Sequence, residues 1–111
     1  MSVTSAANVL ALSSVIAATM DSITVISIKT ISGEIFRKIP TEVDEISSRK
    51  KQFTFWLNED EGNGDIAELS LYGDGATATL GTGTEMVTQA VNIEKDNTNS
   101  LTVIWVVEVI Q

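Results

Sequence analysis

Apolar side chains fall on every second position in two stretches of the chain, 52–57 and 101–109. Phe53, Phe55 and Leu57 share one face against Gln52, Thr54 and Trp56, the period-two signature of a half-buried strand. In the later stretch Leu101, Val103, Trp105, Val107 and Val109 oppose Thr102, Ile104, Val106 and Glu108. Apolar residues on nearly both faces predict a central strand rather than an edge. Ile23–Ile31 alternates less perfectly and reaches Ser32-Gly33, a two-residue turn signal leading into Glu34–Ile39, so a hairpin is expected there. Pro40, which has no amide donor, ends its second strand. Thr41–Lys51 is charged and reads as loop or edge strand. In the next strand Ala67, Leu69 and Leu71 form one face, opposite Ile66, Glu68, Ser70 and Tyr72. Met86–Ile93 alternates roughly, and Asp96-Asn97-Thr98-Asn99 is turn chemistry that closes a second hairpin onto the last strand.

The first twenty residues follow a different rule. Val9, Leu12, Val15, Ile16 and Met20 recur at spacings of three and four, which suggests a short amphipathic helix with Thr4 or Ser5 as its N-cap. Val, Ile and Thr also suit an extended arm, and both readings stand. The expected organisation is an arm or helix over residues 1–22 and one β-domain over 23–111. Six or so short strands predict an all-β fold, a small antiparallel sandwich or partly closed barrel.

Composition narrows the function classes. With 111 residues the chain has the size of one domain. It contains no histidine and no cysteine, which removes the usual general bases, thiol nucleophiles and soft metal ligands. Seven basic residues against 15 acidic ones give a formal charge of −8, so a phosphate backbone is repelled and nucleic acid is not an expected partner. The short basic run Arg49-Lys50-Lys51 reads as the solvated start of a strand. No uncharged apolar run reaches the ~18 residues of a membrane span, and the first basic side chain is Lys29, so neither a membrane anchor nor a secretory leader is expected.

Four features could carry chemistry. Glu68 lies inside a strand among apolar neighbours, where a carboxyl could act as an acid; a solvent-facing or ion-paired role is the ordinary alternative. Asn58-Glu-Asp-Glu-Gly-Asn-Gly-Asp65 gathers four carboxylates around two glycines, the oxygen-rich composition that hard cations take, but without the spacing of a helix-flanked calcium loop. The run Gly73–Gly83 lacks the lysine of a phosphate-binding loop and reads as a long flexible surface connection. Trp56 and Tyr72 could present a sugar-stacking or partner-binding surface, whereas Trp105 belongs to the core. Nothing in these patterns calls for a catalytic centre or a cofactor. Val9, Leu12, Ile16, Trp56 and Tyr72 are the candidate interface residues.

Ile66-Ala-Glu-Leu-Ser-Leu-Tyr-Gly73, the Gly-Thr-Gly-Thr run, Ile93-Glu-Lys95 and Leu101-Thr-Val-Ile-Trp105 together resemble a small β-rich module of tailed bacteriophages of Gram-positive hosts. That module recurs in tail, baseplate and fibre-associated proteins. The resemblance spans residues 51–109, and Leu69-Ser-Leu-Tyr stands where Gly-Leu-Phe is commoner. It implies a non-enzymatic virion subunit, located in the virion, that associates with itself and with other virion proteins. Head-decoration or head-fibre proteins, and a module that binds cell-wall carbohydrate, are the alternatives.

Overall fold

The computed structural model describes the backbone of residues 5–110 and the side chains from Asn8 onward. The chain runs through β1 (Ser5–Val15), α1 (Ala17–Ser22), β2 (Val25–Thr30), β3 (Gly33–Lys38) and β4 (Glu42–Ser47). It continues through β5 (Lys50–Leu57), β6 (Gly64–Gly73), β7 (Thr84–Lys95) and β8 (Asn99–Val109). The strands form two four-stranded sheets that pack as a sandwich, not a closed barrel. Sheet 1 has the order β1-β8-β5-β4 and sheet 2 the order β3-β2-β6-β7.

The sandwich interior follows from the alternation. In sheet 1, Phe53 lies across from Trp105, Phe55 from Val103 and Leu57 from Leu101, and all six are buried. Sheet 2 answers with Ile26 opposite Leu71 and Ile28 opposite Leu69, none of them accessible to solvent. Fully burying one such side chain is worth about 1.5–3 kcal/mol, so these facing pairs dominate the stabilisation. Trp105 has a polar edge to satisfy, and its Nε1–H donates to Ser13 Oγ at 2.8 Å.

Five expectations shift. Asp96-Asn97-Thr98-Asn99 does not close a hairpin, since β7 belongs to sheet 2 and β8 to sheet 1 and the chain crosses between the sheets there. The helical reading of the first twenty residues holds only for the six residues of α1. Ser5–Val15 is instead a strand hydrogen-bonded along β8 in parallel, so the sandwich is not purely antiparallel. Ser5 therefore begins a strand, and Thr4 lies outside the described residues. The β2–β3 turn is Ile31-Ser32, with Gly33 at φ 123° pairing Thr30, one residue earlier than the sequence signal placed it. In the β6–β7 ladder a register shift between Ile66 and Glu68 sets Val91 and Asn92 of β7 against Ala67 alone, and Ile66, out of phase with the sequence reading, joins Leu69 and Leu71 in the core. Thr41–Lys51 resolves into edge strand β4 and the start of β5.

α1 plugs one end of the sandwich. Met20 is buried in the core, Asp21 reaches Lys51 at 3.4 Å, and the helix passes so close to β6 that a Cβ on Gly73 would lie 2.6 Å from the Ser22 carbonyl oxygen.

Candidate functional site

The outer faces of the two sheets differ in character. On sheet 2 the outward side chains form a polar network. Lys29 sits across from Glu68 and pairs with it at 3.5 Å, and it also bonds Glu85. Ser70 Oγ donates to Glu85 at 2.9 Å. Burial alone would lower the Lys29 pKa, but its bonds to Glu85 and Tyr72 more than offset that and hold the ammonium well above its ordinary range. The hydrogen bond from Lys29 is the main cause that keeps Glu85 below the usual carboxylate range.

Beside this pair Arg37 is buried with its guanidinium carbon 4.3 Å from the Tyr72 ring centroid, while Lys29 approaches the same ring at 5.0 Å. Arg37 Nε donates to Glu34 at 2.7 Å, and Nη1 donates to the carbonyls of Thr77 and Thr82 at 3.0 and 2.8 Å. Its Nη2 is buried without a hydrogen bond, and the ring face supplies the guanidinium with an electrostatic partner instead. Glu34 also accepts from Ser27 and from the Gly81 amide. Burial opposes ionisation of Glu34, but the bonds from Arg37, Ser27 and Gly81 prevail and depress its pKa. The glycine-rich run is thus fastened to sheet 2 at two points, where the sequence suggested a free connection.

The acidic loop holds a cation that is part of the chain. Lys95 is buried, and its ammonium donates to the Asn58 carbonyl at 2.6 Å and to Asn63 Oδ1 at 2.9 Å. Glu61 accepts from Lys38 at 2.5 Å and from the Asn58 amide at 3.0 Å. Burial would raise the Glu61 pKa, yet these bonds and the charges of Lys38 and Lys95 lower it. Among the described residues no group of three or more carboxylates converges as a metal site. A sequence signal for Lys95 existed: it falls in phase with Val91 and Ile93, which pack against the core.

Sheet 1 turns an apolar face outward. The register sets Asn8, Thr102 and Trp56 in one row, Leu10, Ile104 and Thr54 in the next, and Leu12, Val106 and Gln52 in a third. Leu10 is 77% exposed, Leu12 78% and Trp56 44%. Ile104 and Val106 are half-buried between them. This uncharged strip is bounded on one side by Glu42 and Asp44 of β4, and at one end by the pair Lys50–Glu108 at 3.6 Å. A shallow cleft of about 300 Å³ lies at that end, lined by Leu12, Ser13, Ser14, Lys50, Val106 and Glu108.

The structure therefore brings Leu12 and Trp56 onto one surface and disperses the other candidates. Val9 points inward and packs against the core, and Ile16 is exposed at the start of α1. Tyr72 belongs to the opposite sheet, held between Lys29 and Arg37. Trp56, Tyr72 and Trp105 lie on the outer face of sheet 1, the outer face of sheet 2 and the interior, so they share no stacking platform. Leu10, Ile104 and Val106 were missed by the sequence reading, although Leu10 and Leu12 alternate with Val9 and Ala11 as strand residues do.

No family model, curated protein or solved structure matches the chain. No helix among the described residues is long and apolar enough to cross a membrane.

Proposed function

We propose that this protein is a structural subunit of a tailed-phage virion, in the tail, baseplate or fibre-attachment region, and that it works by self-association. The observation that carries the assembly reading is the uncharged strip of Leu10, Leu12, Ile104, Val106 and Trp56 on the outer face of sheet 1. In a chain of formal charge −8 the rest of the surface favours separation, while this face gains by leaving water. Its three rows, from Asn8 to Leu12 along β1, span about 20 by 14 Å, roughly 280 Å². That is about a third of the ~800 Å² per partner in a standard interface. The virion setting rests on the resemblance of residues 51–109. The surroundings of Glu68, tied to Lys29, and of the acidic loop, filled by Lys95, supply structural roles for the groups that a catalytic or cation-binding reading would use.

Two measurements test the proposal. Light scattering of the purified chain over a dilution series is expected to show a multimer, and a persistent monomer near 11.9 kDa would overturn self-association. Mass spectrometry of virions purified from the phage that encodes the chain is expected to find it in stoichiometric amount. Its absence from the particles would overturn the virion assignment.

A further inference from the structure

The two sheets have four edge strands, β1, β4, β3 and β7, and each leaves a row of backbone N–H and C=O groups without an in-sheet partner. Open edges invite pairing with another chain, and charge and bulges are the usual protection. Three of the four are protected in both ways. β4 carries Glu42, Asp44 and Glu45 and has a register shift between Glu45 and Ser47. β3 carries Glu34, Arg37 and Lys38, with a shift between Ile28 and Lys29 in its ladder to β2. β7 carries Glu85, Glu94 and Lys95, and its ladder to β6 shifts twice. β1 has none of these devices: its 11 residues, SAANVLALSSV, contain no charge and no proline, and its ladder to β8 runs unshifted from Ser5 to Val15.

We propose that the free edge of β1 pairs antiparallel with β1 of a second copy about a two-fold axis at Leu10, joining two sheets into one of eight strands. This deepens the self-association reading above and rests on it. The second copy is the occupant the edges select. Pairing β1 with β4, β3 or β7 of another copy would set it against a charged, bulged edge, and would be head-to-tail and open-ended. Pairing β1 with itself meets neither obstacle. Centred on Leu10, the register sets Leu10 beside Leu10, Leu12 beside Asn8 and Val9 beside Ala11, with no charged side chain in the seam. Leu10 and Leu12 of both copies then lie on one outer face, so the apolar strip of each molecule runs on into the other. The joined strip is about 560 Å², twice that of one copy.

The chain has no cysteine, so single cysteines report the geometry cleanly. Leu10→Cys places a thiol on the two-fold axis; Ile104→Cys places one on the same outer face but on β8, one strand in from the seam. Each variant is equilibrated in a glutathione redox buffer at low protein concentration, and cross-linked dimer is read on a denaturing gel beside light scattering of the unmodified chain. Expected is a multimer in scattering, with cross-linking of Leu10→Cys several-fold above that of Ile104→Cys. A multimer whose Ile104→Cys variant cross-links while Leu10→Cys does not would overturn edge pairing in favour of face-to-face stacking, and would leave the assembly reading intact. A monomer in scattering, with neither variant cross-linked, would overturn both. Leu10 is largely exposed in the single chain, so folding of its variant is not at issue.

Discussion

The indole of Trp105 is the largest side chain in the core with a hydrogen-bond donor, and one hydroxyl answers it. Ser13 Oγ is 2.8 Å from Nε1 and belongs to a strand some ninety positions earlier in the sequence. Replacing it leaves a buried N–H unsatisfied, so Ser13→Ala is expected to cost about 1–3 kcal/mol in urea unfolding followed by circular dichroism. In a Trp105→Phe background the donor is gone, and the same substitution should cost less than about 0.5 kcal/mol. Equal costs in both backgrounds would show that Ser13 acts independently of the indole. The burial of Trp105 was legible because Val103 and Val107 share its face; Ser13 was not, because a hydroxyl among small residues has no local pattern. Lys95 is an intermediate case. Its phase with Val91 and Ile93 pointed inward, but burying an ammonium is favourable only because Asn58 and Asn63 wait for it, and that pairing exists only once the loop has closed.

At the scale of elements, the strands whose apolar residues alternate without interruption, β5 and β8, were read correctly. So was the hairpin of β2 and β3, to within two residues at its ends. β1 was harder, because Val9, Leu12 and Ile16 satisfy helical spacing while Val9, Ala11, Ser13 and Val15 satisfy alternation. The choice is made by β8, a partner far away in sequence, which tertiary pairing supplies and local propensity does not. The bulge of β7 opposite Ala67 was invisible for a similar reason, since an extra residue shows itself only against the opposing strand. The docking of α1 gives an element-scale prediction. Gly73 is the point at which β6 admits the helix, and a methyl group there would press on the Ser22 carbonyl oxygen. Gly73→Ala is expected to destabilise by about 1–3 kcal/mol through that overpacking, seen as a lowered thermal midpoint. An unchanged midpoint would mean that α1 is not held against β6 at this point.

For the whole molecule, the carboxylates decide how stability depends on pH. Glu34, Glu61 and Glu85 all titrate below their ordinary value of 4.5 in the folded protein. A carboxylate with a depressed folded pKa contributes stability that is present above its unfolded pKa and is lost as pH falls through the folded one. The urea midpoint should therefore stay level from neutral pH to about 5 and decline below that. Glu34→Gln should lower the neutral midpoint and reduce the acid decline. A midpoint still level at about pH 3 would show that these ion pairs contribute nothing net. The molecule as a whole also has an order in time, set by the register of β1 on β8. Ser5 meets Asn99 and Val15 meets Val109, so β1 leaves the ribosome well before the strand that pairs it. At about 5–20 residues per second, β1 waits roughly five to twenty seconds for its own β8. Throughout that interval it is an uncharged strand with both edges open. On a messenger translated by several ribosomes, the first β-strand it encounters can be another nascent copy's, so assembly and folding compete for the same segment before either is complete.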